Sequence, residues 1–113
     1  MYHGYNSYVG QGAHIAPINS LERAKTVGFD HRGFCRSEGV QGYIHNEESH
    51  LSDSLKFAHM IKDLDPSVPL FCMGLSMGGL TCYNISFTHR HLFEGSILMT
   101  PAFKNVAPKW KKV

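Results

Sequence analysis

The chain has 113 residues, of which 42% are hydrophobic, 12% aromatic and 18% charged, the profile of one ordinary globular domain with enough apolar material for a single core. Its net charge is +2, but four of its seven lysines (Lys104, Lys109, Lys111, Lys112) lie in the last ten residues; seven basic and nine acidic residues precede them, so the first 103 residues carry a net charge of −2. A nucleic-acid binder needs a basic face spread through its fold, so that class is excluded, and no apolar run approaches the roughly 18 residues of a membrane span.

Met1-Tyr2-His3-Gly4 lacks the charged-then-apolar layout of a secretory signal, and the chain is read as cytoplasmic. Cys35, Cys72 and Cys82 are odd in number and form no C-x-x-C pair, so they are expected to be free thiols. The eight histidines match no standard zinc spacing, and no metal is expected.

In chain order, Ile15, Ile18 and Leu21 recur at steps of three and predict a helix within 12 to 25, with Pro17 in its first turn. Val27 to Asp30 is a short β-prone run and is read as a strand. It leads into His31-Arg32-Gly33-Phe34-Cys35-Arg36-Ser37-Glu38-Gly39, a polar, glycine-containing loop. Asn46 is placed to cap a helix whose start is favoured by Glu47 and Glu48. Leu51, Leu55, Ala58, Ile61 and Leu64 mark its apolar stripe, and Pro66 stops it. Residues 68 to 73 form a continuous apolar run, the pattern of a strand covered on both faces, with Pro69 tolerable only near its beginning. A helix over 77 to 91 and a strand over 95 to 100 follow. Strands alternating with helices predict an α/β fold, mainly parallel sheet flanked by helices. Tyr43, Phe57, Phe71 and Phe87 are expected at the core or its edge, and Cys72 and Cys82 as small buried hydrophobes.

The sharpest chemical signal is Gly74-Leu75-Ser76-Met77-Gly78-Gly79, a G-x-S-x-G run between the apolar strand and the next helix. A serine on so tight a turn adopts a strained backbone, and glycines at both sides relieve crowding with the neighbouring chain. The helix that starts after Ser76 directs its positive dipole end and free N–H groups at a developing oxyanion.

With His3-Gly4-Tyr5 and Asp30-His31-Arg32-Gly33-Phe34-Cys35-Arg36-Ser37-Glu38-Gly39, this run resembles the α/β-hydrolase superfamily, and within it the monoacylglycerol lipase-like, serine aminopeptidase group. The resemblance covers residues 3 to about 103; residues 1–103 are taken as a partial hydrolase core and 104–113 as a basic tail. It implies Ser76 as the nucleophile, Gly74 and Gly78 as the nucleophile-elbow glycines, and the backbone N–H groups of Tyr5 and Met77 as oxyanion donors. It also implies esters of fatty acids with glycerol as substrates and no cofactor. Cys35 stands where the family has glycine, which implies backbone strain.

The fold's order is Ser, then Asp or Glu, then His. No Asp follows Ser76 in this sequence, and the only acid is Glu94. His89 and His91 lie at the far end of the helix, roughly 20 Å from Ser76 at 1.5 Å per residue, too far to act as its base. His3 and His31 are nearer, although the family uses those positions structurally. The sequence is therefore read as the first half of a hydrolase, inactive alone, with apolar surface and strand edges left open to self-association.

Two rival readings remain. Gly10-Gln11-Gly12-Ala13-His14-Ile15 approaches a dinucleotide fingerprint but puts Ile15 where the third glycine belongs. The other keeps the fold without the enzyme: a non-catalytic chain that binds lipid or a partner protein, with Trp110 among lysines touching an anionic membrane. Asn84-Ile85-Ser86 is a glycosylation sequon inside an expected helix, where modification is not expected.

Overall fold

A computed structural model describes residues 1–21 and 23–103. The expected basic tail, 104–113, lies outside the described residues. A 3-10 helix, Val9–Gly12, leads to α1 (Ile15–Leu21), α2 (Glu47–Leu64), β1 (Phe71–Leu75), α3 (Met77–Thr88) and β2 (Gly95–Met99). The architecture is a small α/β fold in which the parallel strands β1 and β2 are flanked by helices.

Each element has a local cause. Asn46 accepts the N–H of Ser49 through its side chain at 2.7 Å, so one of the orphan donors of α2 is satisfied, and Glu47 and Glu48 sit at the helix's positive end. The helix stops at Leu64, two residues before Pro66. Pro69 lacks an N–H, and Val68 donates to Asp65 in a turn, so β1 begins at Phe71 rather than at 68. β1 and β2 run in register from Phe71 opposite Gly95 to Leu75 opposite Met99. On the other side of β1, Tyr2 forms a parallel bridge with Gly74: its N–H donates to Met73 at 2.8 Å, and its carbonyl accepts from Leu75 at 3.3 Å.

Several expectations are corrected. The run 27 to 30 is not a strand. Val27 offers its carbonyl to the Met1 ammonium group at 2.7 Å, but no ladder forms there. The first helix is shorter than 12 to 25, and it exposes Ile18 and Leu21, so its steps of three do not mark a core stripe. α3 ends at Thr88 rather than 91; Thr88 turns its hydroxyl back to the Asn84 carbonyl, and His89 leaves helical geometry.

The core lies on one side of the sheet. Tyr2, Ala58, Cys72, Cys82, Ile85, Leu92 and Phe93 are buried together, with Leu51, Leu55, Phe57 and Leu98 against them. Strand side chains alternate between faces. Cys72 and Leu98 therefore face the helices, while Phe71, Leu75 and Ile97 point to the other face and stay exposed at 59%, 46% and 55%. β1 is thus covered on one face among the described residues, not on both. Tyr43, Phe71 and Phe87 are exposed and not part of the core; Phe57 is half-buried against Phe29.

Candidate active site

β1 and α3 are joined by a single residue, Ser76, whose backbone is forced to φ 54°, ψ −111°. That is a strained conformation for a residue with a side chain, and it persists only where its surroundings hold it. Three hydrogen bonds do so. The Ser76 N–H donates to the Met99 carbonyl at the end of β2 at 2.9 Å, and its own carbonyl accepts from Leu80 and Ala102, both at 3.1 Å.

The flanking glycines are dictated by close approach. A Cβ on Gly74 would lie 2.1 Å from the Gly78 carbonyl oxygen, and a Cβ on Gly78 would lie 2.1 Å from that of Tyr2. Neither obstacle is a flexible side chain, so neither position accepts even alanine without moving backbone. The turn also lies against the start of the chain: an added Cβ on Gly4 would meet the Ser76 Cβ at 3.6 Å and the Leu75 carbonyl at 3.5 Å. His3-Gly4-Tyr5 and Ser76-Met77 thereby come to the same place. Among the described residues, the N–H groups of Tyr5 and Met77 have no hydrogen-bond partner. A cleft of about 140 Å³ bordered by Met1, Tyr8, Ile15, Leu75 and Met99 opens beside the turn.

The histidines nearest in sequence logic are already engaged. His3 is 4% exposed; its Nδ1 contacts the Gly4 carbonyl at 2.8 Å, and its Nε2 accepts the His31 N–H at 2.9 Å. A ring that accepts at Nε2 and meets a carbonyl at Nδ1 is the neutral Nδ1–H tautomer, donating to Gly4. Burial lowers its pKa. His31 is 1% exposed between the rings of Tyr2, His3 and His50, and its Nε2 has no partner. Burial, with the neighbouring His50 and His3 rings, pushes its pKa down to about 2. So weak a base takes little of a hydroxyl's proton at neutral pH. His89 contacts Thr88 at the far end of α3.

The loop after the 27 to 30 run is built around Asp30. Its carboxylate accepts the N–H of Val9 at 2.8 Å and that of Arg36 at 3.4 Å, and its carbonyl accepts the Ser37 hydroxyl. Desolvation opposes its ionisation, but these backbone bonds and the Cys35 thiol outweigh it and hold the carboxyl below its usual range. Cys35 lies at φ 47°, in the left-handed region that glycine would occupy freely. Cys72 and Cys82 are free and buried; contact with Cys72 and burial together raise the Cys82 pKa and keep that thiol protonated.

One residue pair of this region carries no sequence signal. His50 of α2 and Thr81 of α3, 31 positions apart, meet at 2.9 Å beside Met77, and only the packed fold reveals them.

A parallel α/β sheet with a strained serine between strand and helix, glycines at both sides and a glycine turn against it defines the α/β-hydrolase class. The family profile of serine aminopeptidase, S33, matches residues 1–113, and the chain belongs to that family. Over 99 residues it is 29% identical to a monoglyceride lipase homolog of Monkeypox virus and 26% identical to monoglyceride lipase of Mus musculus. It is 29% identical over 101 residues to monoglyceride lipase of Rattus norvegicus. Each match takes in 88% of this chain but 36%, 33% and 33% of the respective relatives, so the chain spans about a third of their length. Family membership displaces the dinucleotide reading of Gly10 to Ile15, whose glycines lie in the 3-10 helix.

Proposed function

We propose that this chain carries the nucleophile and oxyanion parts of a serine hydrolase that cleaves fatty-acid esters of glycerol. Ser76 attacks the acyl carbonyl, and the backbone N–H groups of Tyr5 and Met77 receive the oxyanion. The observation that carries this reading is the Ser76 backbone at φ 54°, ψ −111°, strain that a mere strand-to-helix connection has no use for. The partnerless N–H groups and the cleft beside the turn support it, the cleft as an apolar wall for an acyl chain. The lipid substrate class is suggested by the names of the relatives.

Attack requires a base for the Ser76 proton and an acid to orient that base. His3 has both ring nitrogens engaged, and burial leaves His31 too weak a base to take that proton. Residues 1–113 alone are therefore expected to show no Ser76-dependent hydrolysis of a monoacylglycerol, whereas a longer native polypeptide carrying this sequence is expected to hydrolyse it. Both are measured with a monoacylglycerol and a short acyl ester, each beside a Ser76→Ala control. Turnover by the 113-residue chain that Ser76→Ala abolishes would overturn the inactivity. A longer native polypeptide whose esterase activity survives Ser76→Ala would overturn the nucleophile assignment. Absence of activity in a native polypeptide of 12.7 kDa favours the non-catalytic lipid- or partner-binding reading, for which the exposed Phe71, Leu75 and Ile97 supply the apolar surface.

A further inference from the structure

His50 lies in the first turns of α2, a helix that contributes nothing to the strand–serine–helix turn in sequence, yet its side chain ends there. Its Nε2 is 2.9 Å from the Thr81 hydroxyl oxygen, and that hydroxyl lies 3.0 Å from the Met77 carbonyl. Thr81 is 1% exposed, so neither bond is exchanged with water at little cost. A threonine hydroxyl has one proton. With that proton given to Met77, Thr81 can only accept from the imidazole, which fixes His50 as the Nε2–H tautomer. The chain of donors runs His50 Nε2–H to Thr81, and Thr81 O–H to the carbonyl of the residue immediately after Ser76.

The His50 ring also packs against that of His31, tilted by 46° with centroids 4.4 Å apart, and His31 packs against His3 at the same separation, tilted by 53°. His3 in turn bonds the Gly4 carbonyl. One cluster of three imidazoles therefore reaches the two backbone turns that meet at Ser76, Gly4 from one end and Met77, through Thr81, from the other. Left without His50, the Thr81 hydroxyl would still bond back to Met77, but its rotamer and the seating of α2 on α3 would lose their tie.

We propose that His50 is a positioning residue for Ser76, holding the first turn of α3 in place through Thr81; this rests on the reading of Ser76 as the nucleophile. The test uses the native polypeptide that carries this sequence, with His50→Leu, His50→Gln, Thr81→Val and the His50→Leu/Thr81→Val double variant. Two readouts are taken: the rate at which a fluorophosphonate modifies Ser76, and amide hydrogen exchange across Met77 to Thr81. His50→Leu is expected to slow modification about tenfold, the loss of one buried hydrogen bond read at a reacting centre, and Thr81→Val, which also removes the bond to the Met77 carbonyl, at least as much. The double variant is expected to be no slower than Thr81→Val alone, which already breaks both bonds of the relay. His50→Gln, whose amide N–H replaces Nε2–H, is expected to stay within about threefold of the parent, since it keeps one donor of the same reach.

Exchange in the first turn of α3 follows the same order, with Leu and Val fast and Gln protected. The proposal is overturned if His50→Leu matches the parent in both readouts, if Gln is as slow as Leu, or if the two single effects simply multiply. If the parent's Ser76 does not react at all, the nucleophile reading fails, and the positioning of the turn is decided by exchange alone. Should His50→Leu lose protection throughout α3, Thr81→Val and His50→Gln decide.

Discussion

Ser76, Gly74 and Gly78 form one steric unit. The strained serine is possible only because β1, α3 and the Tyr2 backbone approach within distances that exclude any Cβ at the two glycines. Gly78→Ala is therefore expected to destabilise the fold by about 3 kcal/mol or more, since a methyl placed 2.1 Å from the Tyr2 carbonyl must displace backbone that also pairs with β1. Urea unfolding of the variant measures it, and a loss under 1 kcal/mol would mean the turn yields easily. Cys35 gives the opposite expectation. At φ 47° it bears a left-handed cost of about 1–2 kcal/mol, of which glycine would return roughly half after its own entropy loss. Cys35→Gly is expected to raise stability by about 0.5–1 kcal/mol in the same measurement; a decrease would show that the Cys35 thiol's bond to Asp30 outweighs the strain.

At the scale of elements, α2 owes its start to one side chain. Asn46→Ala removes the acceptor for the Ser49 N–H and is expected to cost about 1 kcal/mol in thermal or urea unfolding; an unchanged midpoint would mean water caps the helix equally well. This start was legible in sequence because capping is local, and so were β1 and α3, where an apolar run, a glycine turn and a helical stretch follow in close order. The run at 27 to 30 was not. β-propensity describes a side chain's fit to a pleated surface, whereas a strand exists only where a neighbour completes its ladder. The same limit hid the contribution of Tyr2: in a polar stretch, it enters beside β1 and sends its hydroxyl to the Ser54 carbonyl of α2. At the site, the serine turn was legible because its chemistry demands a fixed spacing. The imidazole cluster was not, because His3, His31 and His50 come from three separate segments that only tertiary packing brings together.

For the whole molecule, that cluster links stability to pH. His3, His31 and His50 all have lowered pKa values with burial as the first cause, and His31 is lowered furthest, to about 2. An unfolded histidine titrates near 6.5, so below that pH the unfolded chain takes up a proton that the folded His31 refuses. Stability from His31 is thus fully present above about pH 6.5 and is lost as the pH falls toward 2, at up to about 1.4 kcal/mol per pH unit. Asp30 adds a second loss at lower pH: its depressed carboxyl stabilises the fold above the ordinary carboxylate range near pH 4 and ceases to as it is protonated. Marginal domains hold only about 5–15 kcal/mol in total, so the fold is expected to weaken visibly between pH 7 and 5. The check is the urea midpoint across that interval, paired with an NMR titration of the His31 ring. A flat midpoint, or a His31 ring that titrates near pH 6.5, would show that water reaches the cluster and that its burial does not set the acid limit of this protein.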